Sequence, residues 1–119
     1  MGEGVLIDTD VLIDYVKGLC DLPSSRLYIT EITLYEFIRG TKDVDEAKRV
    51  LEEGFVVLFH DNETVATAAK IWVELKRSGE MLDDRDILIA AVAIVKGLRL
   101  LTRNAKHYRR LERFGLRFV

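Results

Sequence analysis

Apolar residues fall along this chain in two alternating rhythms. Residues 5–8 form a short, continuous, β-branched run that ends in Asp8, the pattern of a strand buried on both faces. Val11, Leu12, Tyr15 and Val16 then recur at helical spacing until Gly18 stops them. Residues 27–30 ("LYIT") predict a second strand, and Thr30 can cap a helix running through Arg39, with Gly40 at its end. Residues 43–53 are amphipathic, with Val44, Ala47, Val50 and Leu51 as the apolar stripe. Residues 55–59 ("FVVLF") predict a third buried strand. Asp61 or Asn62 caps a long helix to about Ser78, with Val65, Ala68, Ala69, Trp72, Val73 and Lys76 on neighbouring turns. Residues 83–96 are nearly apolar all round, which predicts a central helix. A fourth strand over 98–102, a basic helix over 104–113 and a last short strand over 116–119 complete the series.

Strands alternating with helices argue an α/β sandwich on a mostly parallel sheet. In such sheets ligands sit beyond the carboxyl ends of the strands, where the strand order reverses. Asp8, Thr30, Thr102 and Asn104 all fall at or just past predicted strand ends.

Composition narrows the class. A length of 119 residues suits one domain, 1–119, and 49% apolar residues suffice for its core. Cys20, the one cysteine, has no intrachain partner, which favours a reducing compartment. No apolar run approaches the roughly 20 residues of a membrane span, and no basic segment precedes the first apolar run as in a signal peptide. The expectation is a cytoplasmic protein with no membrane contact. Net charge is −2, but residues 96–117 carry eight Lys and Arg against one acid, Glu112, a net +7 that leaves −9 for the rest. The basic end reads either as a solvated helix or as a phosphate-facing edge beside an acidic centre.

Three acids stand out. Asp8 ends the first strand. Glu36 lies in "TEITLYEFIRG", where Thr33 and Glu36 also fit a capping pattern, although Thr30 is the better cap. Asp86 begins the apolar helix behind Asp83 and Asp84; the helix dipole accounts for such a cluster, but a carboxylate half-buried there wants a partner, and Arg85 is the only obvious cation. A metal ion would serve as well. Asp10, Asp84 and Asn104 are auxiliaries. Mg²⁺ or Mn²⁺ takes oxygen ligands, and metal-assisted in-line displacement at phosphorus fits carboxylates from separate elements. His60 and His107 lack zinc spacing, Cys20 has no adjacent base, and no nucleophile elbow, P-loop or dinucleotide fingerprint occurs. His107 reads as a polar surface residue.

Taken in order, "VLIDTDVLIDYVKG", "YITEITLYEFIRG" and "DRDILIAAVAIVKGLRLLTRNAKHYRRL" resemble the PIN-domain ribonucleases of the VapC toxin type, over nearly the whole chain. The resemblance implies a three-layer α/β/α sandwich with a five-stranded parallel sheet and metal-dependent endonucleolytic cleavage of RNA. By position, Asp8, Glu36 and Asp86 match the family's acids, Thr30 a frequent Ser or Thr, and Asn104 a fourth position that is often Asp. That departure puts tight occupancy of a second metal in doubt. The three acids would hold Mg²⁺ or Mn²⁺ for hydrolysis to 5′-phosphate and 3′-hydroxyl ends. Arg103, Lys106, Arg109 and Arg110 would grip the RNA backbone. The family further implies a cognate antitoxin and a homodimer.

Two other readings use the same residues. "DTDVL" resembles the start of a haloacid-dehalogenase-type phosphatase, with Asp8 as nucleophile and Asp10 as acid, but that class also needs a Lys and a late acidic pair, where this short chain offers Asn104 and arginines. A receiver-like or degenerate PIN module that only binds would use Asp61 or nothing, leaving Glu36 and Asp86 idle.

Overall fold

The computed structural model describes residues 4–119. Strands β1 (Val5–Ile7), β2 (Leu27–Thr30), β3 (Val56–Leu58), β4 (Arg99–Leu101) and β5 (Arg117–Phe118) alternate with helices α1 (Thr9–Val16), α2 (Glu31–Ile38), α3 (Val44–Gly54), α4 (Asn62–Ser78), α5 (Asp84–Lys96) and α6 (Ala105–Tyr108). All strand pairings are parallel, in the order β3-β2-β1-β4-β5. In the centre, Leu6 lies opposite Tyr28 on one side and Leu100 on the other.

The strand period of two sends successive side chains to opposite faces and so builds two cores. Leu6 joins Ile71, Leu75, Ile89, Leu100, Tyr108 and Leu111 on the face covered by α4 and α5. Val5 and Ile7 join Val11, Leu12, Ile29, Leu34 and Leu51 on the face covered by α1 and α3. The result is a three-layer α/β/α sandwich, as the alternation predicts. Each fully buried Leu or Ile contributes about 1.5–3 kcal/mol relative to exposure. Ala90, Ala91 and Ala93 are among the buried residues of α5, where small side chains let the helix lie close to its neighbours. Gly97 ends α5 at φ 68°, a left-handed position that suits glycine. The Leu98 N–H donates to the Ala93 carbonyl at 2.9 Å, and the chain passes directly into β4.

Two local expectations need correction. Residues 55–59 are not a buried strand: β3 lies at the sheet's edge, with Val56 51% and Phe59 65% exposed. The long helix starts with Asp61 as its cap and buries Thr64, Ala68, Ile71 and Leu75; of the apolar residues on its neighbouring turns, Val65, Trp72 and Val73 face outward. The basic helix over 104–113 breaks into α6, of one turn, and a 3-10 helix, Arg109–Phe114. Tighter winding there lets Tyr108 and Leu111 both reach the core. Among the described residues no helix is long and apolar enough to cross a membrane.

Candidate active site

The chain runs from β1 outward through β2 to β3, then returns to place β4 on the other side of β1. The strand order therefore reverses between β1 and β4, and their carboxyl ends open a crevice. Asp8 follows β1 and Thr102 follows β4. The Thr102 hydroxyl donates to Asp8 Oδ2 across this gap at 2.8 Å. Asp8 caps α1 in an extended conformation, and its Oδ1 accepts the Thr9 N–H at 2.9 Å. Its residue is only 2% exposed, so each carboxylate oxygen needs the partners it has.

Glu36 arrives from the adjoining layer. Thr30 caps α2 by accepting the Thr33 N–H at 3.2 Å, which settles the choice between Thr30 and Thr33 as cap. Thr33 is buried and its hydroxyl lies 2.9 Å from that of Thr9. Thr9 in turn donates to Glu36 Oε1 at 2.7 Å. Asp86 sits on the first turn of α5. Its Oδ1 lies 3.1 Å from the Tyr108 hydroxyl, which also reaches Asp8 Oδ2 at 3.2 Å. His107 Nε2 stands 3.4 Å from Asp86 Oδ2, so this exposed histidine also borders the site.

One cation joins all three acids. Arg85 Nε donates to Glu36 Oε2 at 2.6 Å, Nη1 to Asp86 Oδ1 at 2.5 Å and Nη2 to Asp8 Oδ1 at 3.3 Å. The carboxylate thought to want a metal thus already has Arg85. Burial, the largest single influence, opposes the charge on both Glu36 and Arg85. It is outweighed on Glu36 by hydrogen bonds from Arg85 and Thr9, which hold the carboxyl below its usual range. On Arg85 the bond to Glu36 and the charge of Asp8 outweigh it, and the guanidinium is held more firmly protonated than usual. Burial first, then the charges of Asp8 and Asp86, push the Tyr108 phenol far upward, so it is a donor at neutral pH.

The auxiliaries are less central. Asp10 Oδ2 meets the Arg103 N–H at 3.3 Å and the Asn104 amide at 3.4 Å, while its Oδ1 is buried without a partner. Burial and then the charge of Asp8 raise its pKa above the ordinary value. Asn104 reaches Asp10 rather than the three acids. Asp84 is exposed and lines an apolar groove with Trp72 and Leu88, and Thr30 acts as a cap. Arg103 pairs with Asp14, and Arg110 donates to the backbone carbonyls of Glu80 and Met81 at 3.0 and 3.4 Å. Lys106 and Arg109 are exposed on the same segment.

The sequence marks Thr102 only as a residue at a strand end, and nothing in it singles out Thr9 or Tyr108. The usable signal was chemical: a tyrosine on a buried face brings a hydroxyl that needs a partner. Arg85 was noticed, but not that it would span three elements.

Fold and site together define a class: a parallel α/β sandwich with an acidic, cation-holding crevice at its switch point. The PIN-domain family pattern matches residues 5–113. The chain is 39% identical over 117 residues to Ribonuclease VapC1 of Methanocaldococcus jannaschii, covering 95% of this chain and 85% of that protein. Its fold superposes on a DNA-bound VapBC structure from Salmonella typhimurium with a TM-score of 0.82 and 27% identity, over 99% of this chain and 98% of the other. A toxin–antitoxin complex from Klebsiella pneumoniae gives 0.70 and 25%, over 87% and 89%. The chain belongs to the PIN-domain family, in its VapC-type branch.

Proposed function

We propose that the protein is a metal-dependent endoribonuclease, the toxin of a toxin–antitoxin pair. The observation that carries this reading is the convergence of Asp8, Glu36 and Asp86, from three separate elements, on one cation at the carboxyl edge of the central strands. Among the described residues no three His, Cys, Asp or Glu form a ready-made metal cage. The donor set nevertheless fits: all three groups are hard carboxylate oxygens, the kind Mg²⁺ and Mn²⁺ take, and they already hold positive charge.

When bound there, Mg²⁺ or Mn²⁺ supplies Lewis-acid charge for in-line hydrolysis of a phosphodiester, leaving 5′-phosphate and 3′-hydroxyl ends. Asp8, Glu36 and Asp86 would hold the ion. Thr9, Thr102 and Tyr108 orient those carboxylates by hydrogen bonds to them, and Tyr108 keeps its proton while doing so. Lys106 and Arg109, with Arg103 and Arg110 on the same segment, face the flanking RNA phosphates. Asp10 and Asn104 sit one step away and tune the rim. Structural neighbours described as VapBC and as a toxin–antitoxin complex support a cognate antitoxin as partner; the homodimer is carried by the family resemblance alone. The test is cutting of structured RNA by the purified chain. Cleavage with Mn²⁺ or Mg²⁺ that stops in EDTA is expected; cleavage unaffected by EDTA would overturn the reading.

A further inference from the structure

We infer that Arg85 is the resident counter-cation of the acidic centre: it holds the carboxylate oxygens that a divalent ion would need, and would have to release them for such an ion to bind. The inference rests on the metal-centre reading above and deepens it. Its basis is the distribution of oxygens. Each acid has one oxygen engaged by a neutral donor or by the rim: Asp8 Oδ2 by Thr102 and Tyr108, Glu36 Oε1 by Thr9, and Asp86 Oδ2 beside His107. The other oxygen of each acid, Asp8 Oδ1, Glu36 Oε2 and Asp86 Oδ1, goes to a different nitrogen of the single Arg85 guanidinium, with Asp8 Oδ1 also accepting the Thr9 N–H and Asp86 Oδ1 the Tyr108 hydroxyl. A fork that usually grips one carboxylate in two places is instead spread over three. A cation entering between these acids needs the oxygens that Arg85 holds.

The burial of the acids explains why a counter-ion is needed. Side-chain exposures of 2% at Asp8, 17% at Glu36 and 12% at Asp86 put three carboxylates in mutual reach with little water to screen them. Arg85 keeps them together before a metal arrives, and its own side chain is 35% exposed, which gives the guanidinium a way out toward solvent. The metal concentration at which the site fills is therefore set partly by the strength of this three-way ion pair, and an arginine that merely stiffened the site would act in the opposite direction.

Mn²⁺ binding by calorimetry, with Arg85→Gln, Arg85→Lys and the parent protein compared at fixed pH, decides between them. The result expected is Mn²⁺ affinity at least about tenfold higher in Arg85→Gln, where no guanidinium competes, with Arg85→Lys between the two because an ammonium is a single point charge. In thermal unfolding with EDTA the Gln variant melts below the parent, and saturating Mn²⁺ raises its melting point by more than it raises the parent's. Equal or weaker Mn²⁺ binding in both variants, with unchanged circular dichroism, overturns the inference and leaves the metal centre standing. If neither the parent nor the variants bind Mn²⁺, the metal-centre reading falls, and the inference with it.

Discussion

Tyr108 puts one hydroxyl between two carboxylates that would otherwise repel. It is 1% exposed, and its ring packs in the core beside Leu111 and Leu100 while its oxygen reaches Asp8 and Asp86. Tyr108→Phe keeps the ring and removes only the contact to the acids. It is expected to weaken Mn²⁺ affinity or cleavage about 10–100-fold, the usual cost of removing a group that orients a metal ligand, with the melting temperature in EDTA little changed. Equal Mn²⁺ affinity and rate in this variant would mean the hydroxyl only fills space. At this scale the sequence was legible where charge met apolar surroundings: Asp8 after a β-branched run and Asp86 before an apolar helix are conspicuous because burying a carboxylate is costly. The roles of Thr9, Thr102 and Tyr108 were not legible, since hydroxyls at strand and helix ends are common and the acids they meet lie 22 to 100 residues away.

Among the elements, α4 shows how a cap becomes a pH-dependent contribution. Asp61 Oδ1 accepts the Thr64 N–H at 2.9 Å, the Thr64 hydroxyl accepts the Asp61 N–H at 2.8 Å, and Lys96 Nζ reaches Asp61 Oδ2 at 2.9 Å. The Thr64 backbone bond first, then Lys96, hold the Asp61 carboxyl well below its ordinary range. The folded state therefore gives up this proton more readily than the unfolded one. The contribution is fully present above the unfolded value, roughly pH 4, and is lost as pH falls from there toward the folded value. Asp61→Asn keeps a capping oxygen but not the charge. Its urea midpoint should lie below the parent's at pH 7, with the gap closing below about pH 4; a gap constant from pH 7 to pH 3 would contradict the assignment. Elements were legible in kind and order because their periods are clear. Their faces were less so. In α4 the apolar residues on neighbouring turns do not say which face is core: Ala68 is buried with Thr64, Ile71 and Leu75, while Val65, Trp72 and Val73 are exposed. In β3 an unbroken apolar run marks an edge strand, which local pattern cannot tell from a central one.

At the level of the whole molecule, charge is divided between an acidic centre and a basic C-terminal segment. That segment is anchored to the site, with the Arg103 N–H on Asp10, His107 beside Asp86, and Arg110 on the backbone of Glu80 and Met81. Lys106 and Arg109 thus project from a fixed rim. Replacing either by Ala should weaken RNA binding for all sequences alike and lower the slope of log affinity against log salt by about 0.7–0.9 per contact, read by fluorescence anisotropy across salt concentrations. An unchanged slope in both variants would remove them from the phosphate path. The sheet order that creates the switch point was not legible, because it depends on which strands pair across distant sequence; only the alternation that makes such a point possible was.

Single-turnover RNA cleavage with Mn²⁺, comparing the parent with Asp8→Asn and Asp86→Asn and determining the product ends, decides whether the three carboxylates at the switch point form a metal-dependent nuclease site. Cutting by the parent should leave 5′-phosphates, stop in EDTA and fall at least about 100-fold in both variants. Full cleavage by either variant, or by the parent in EDTA, would contradict such a site.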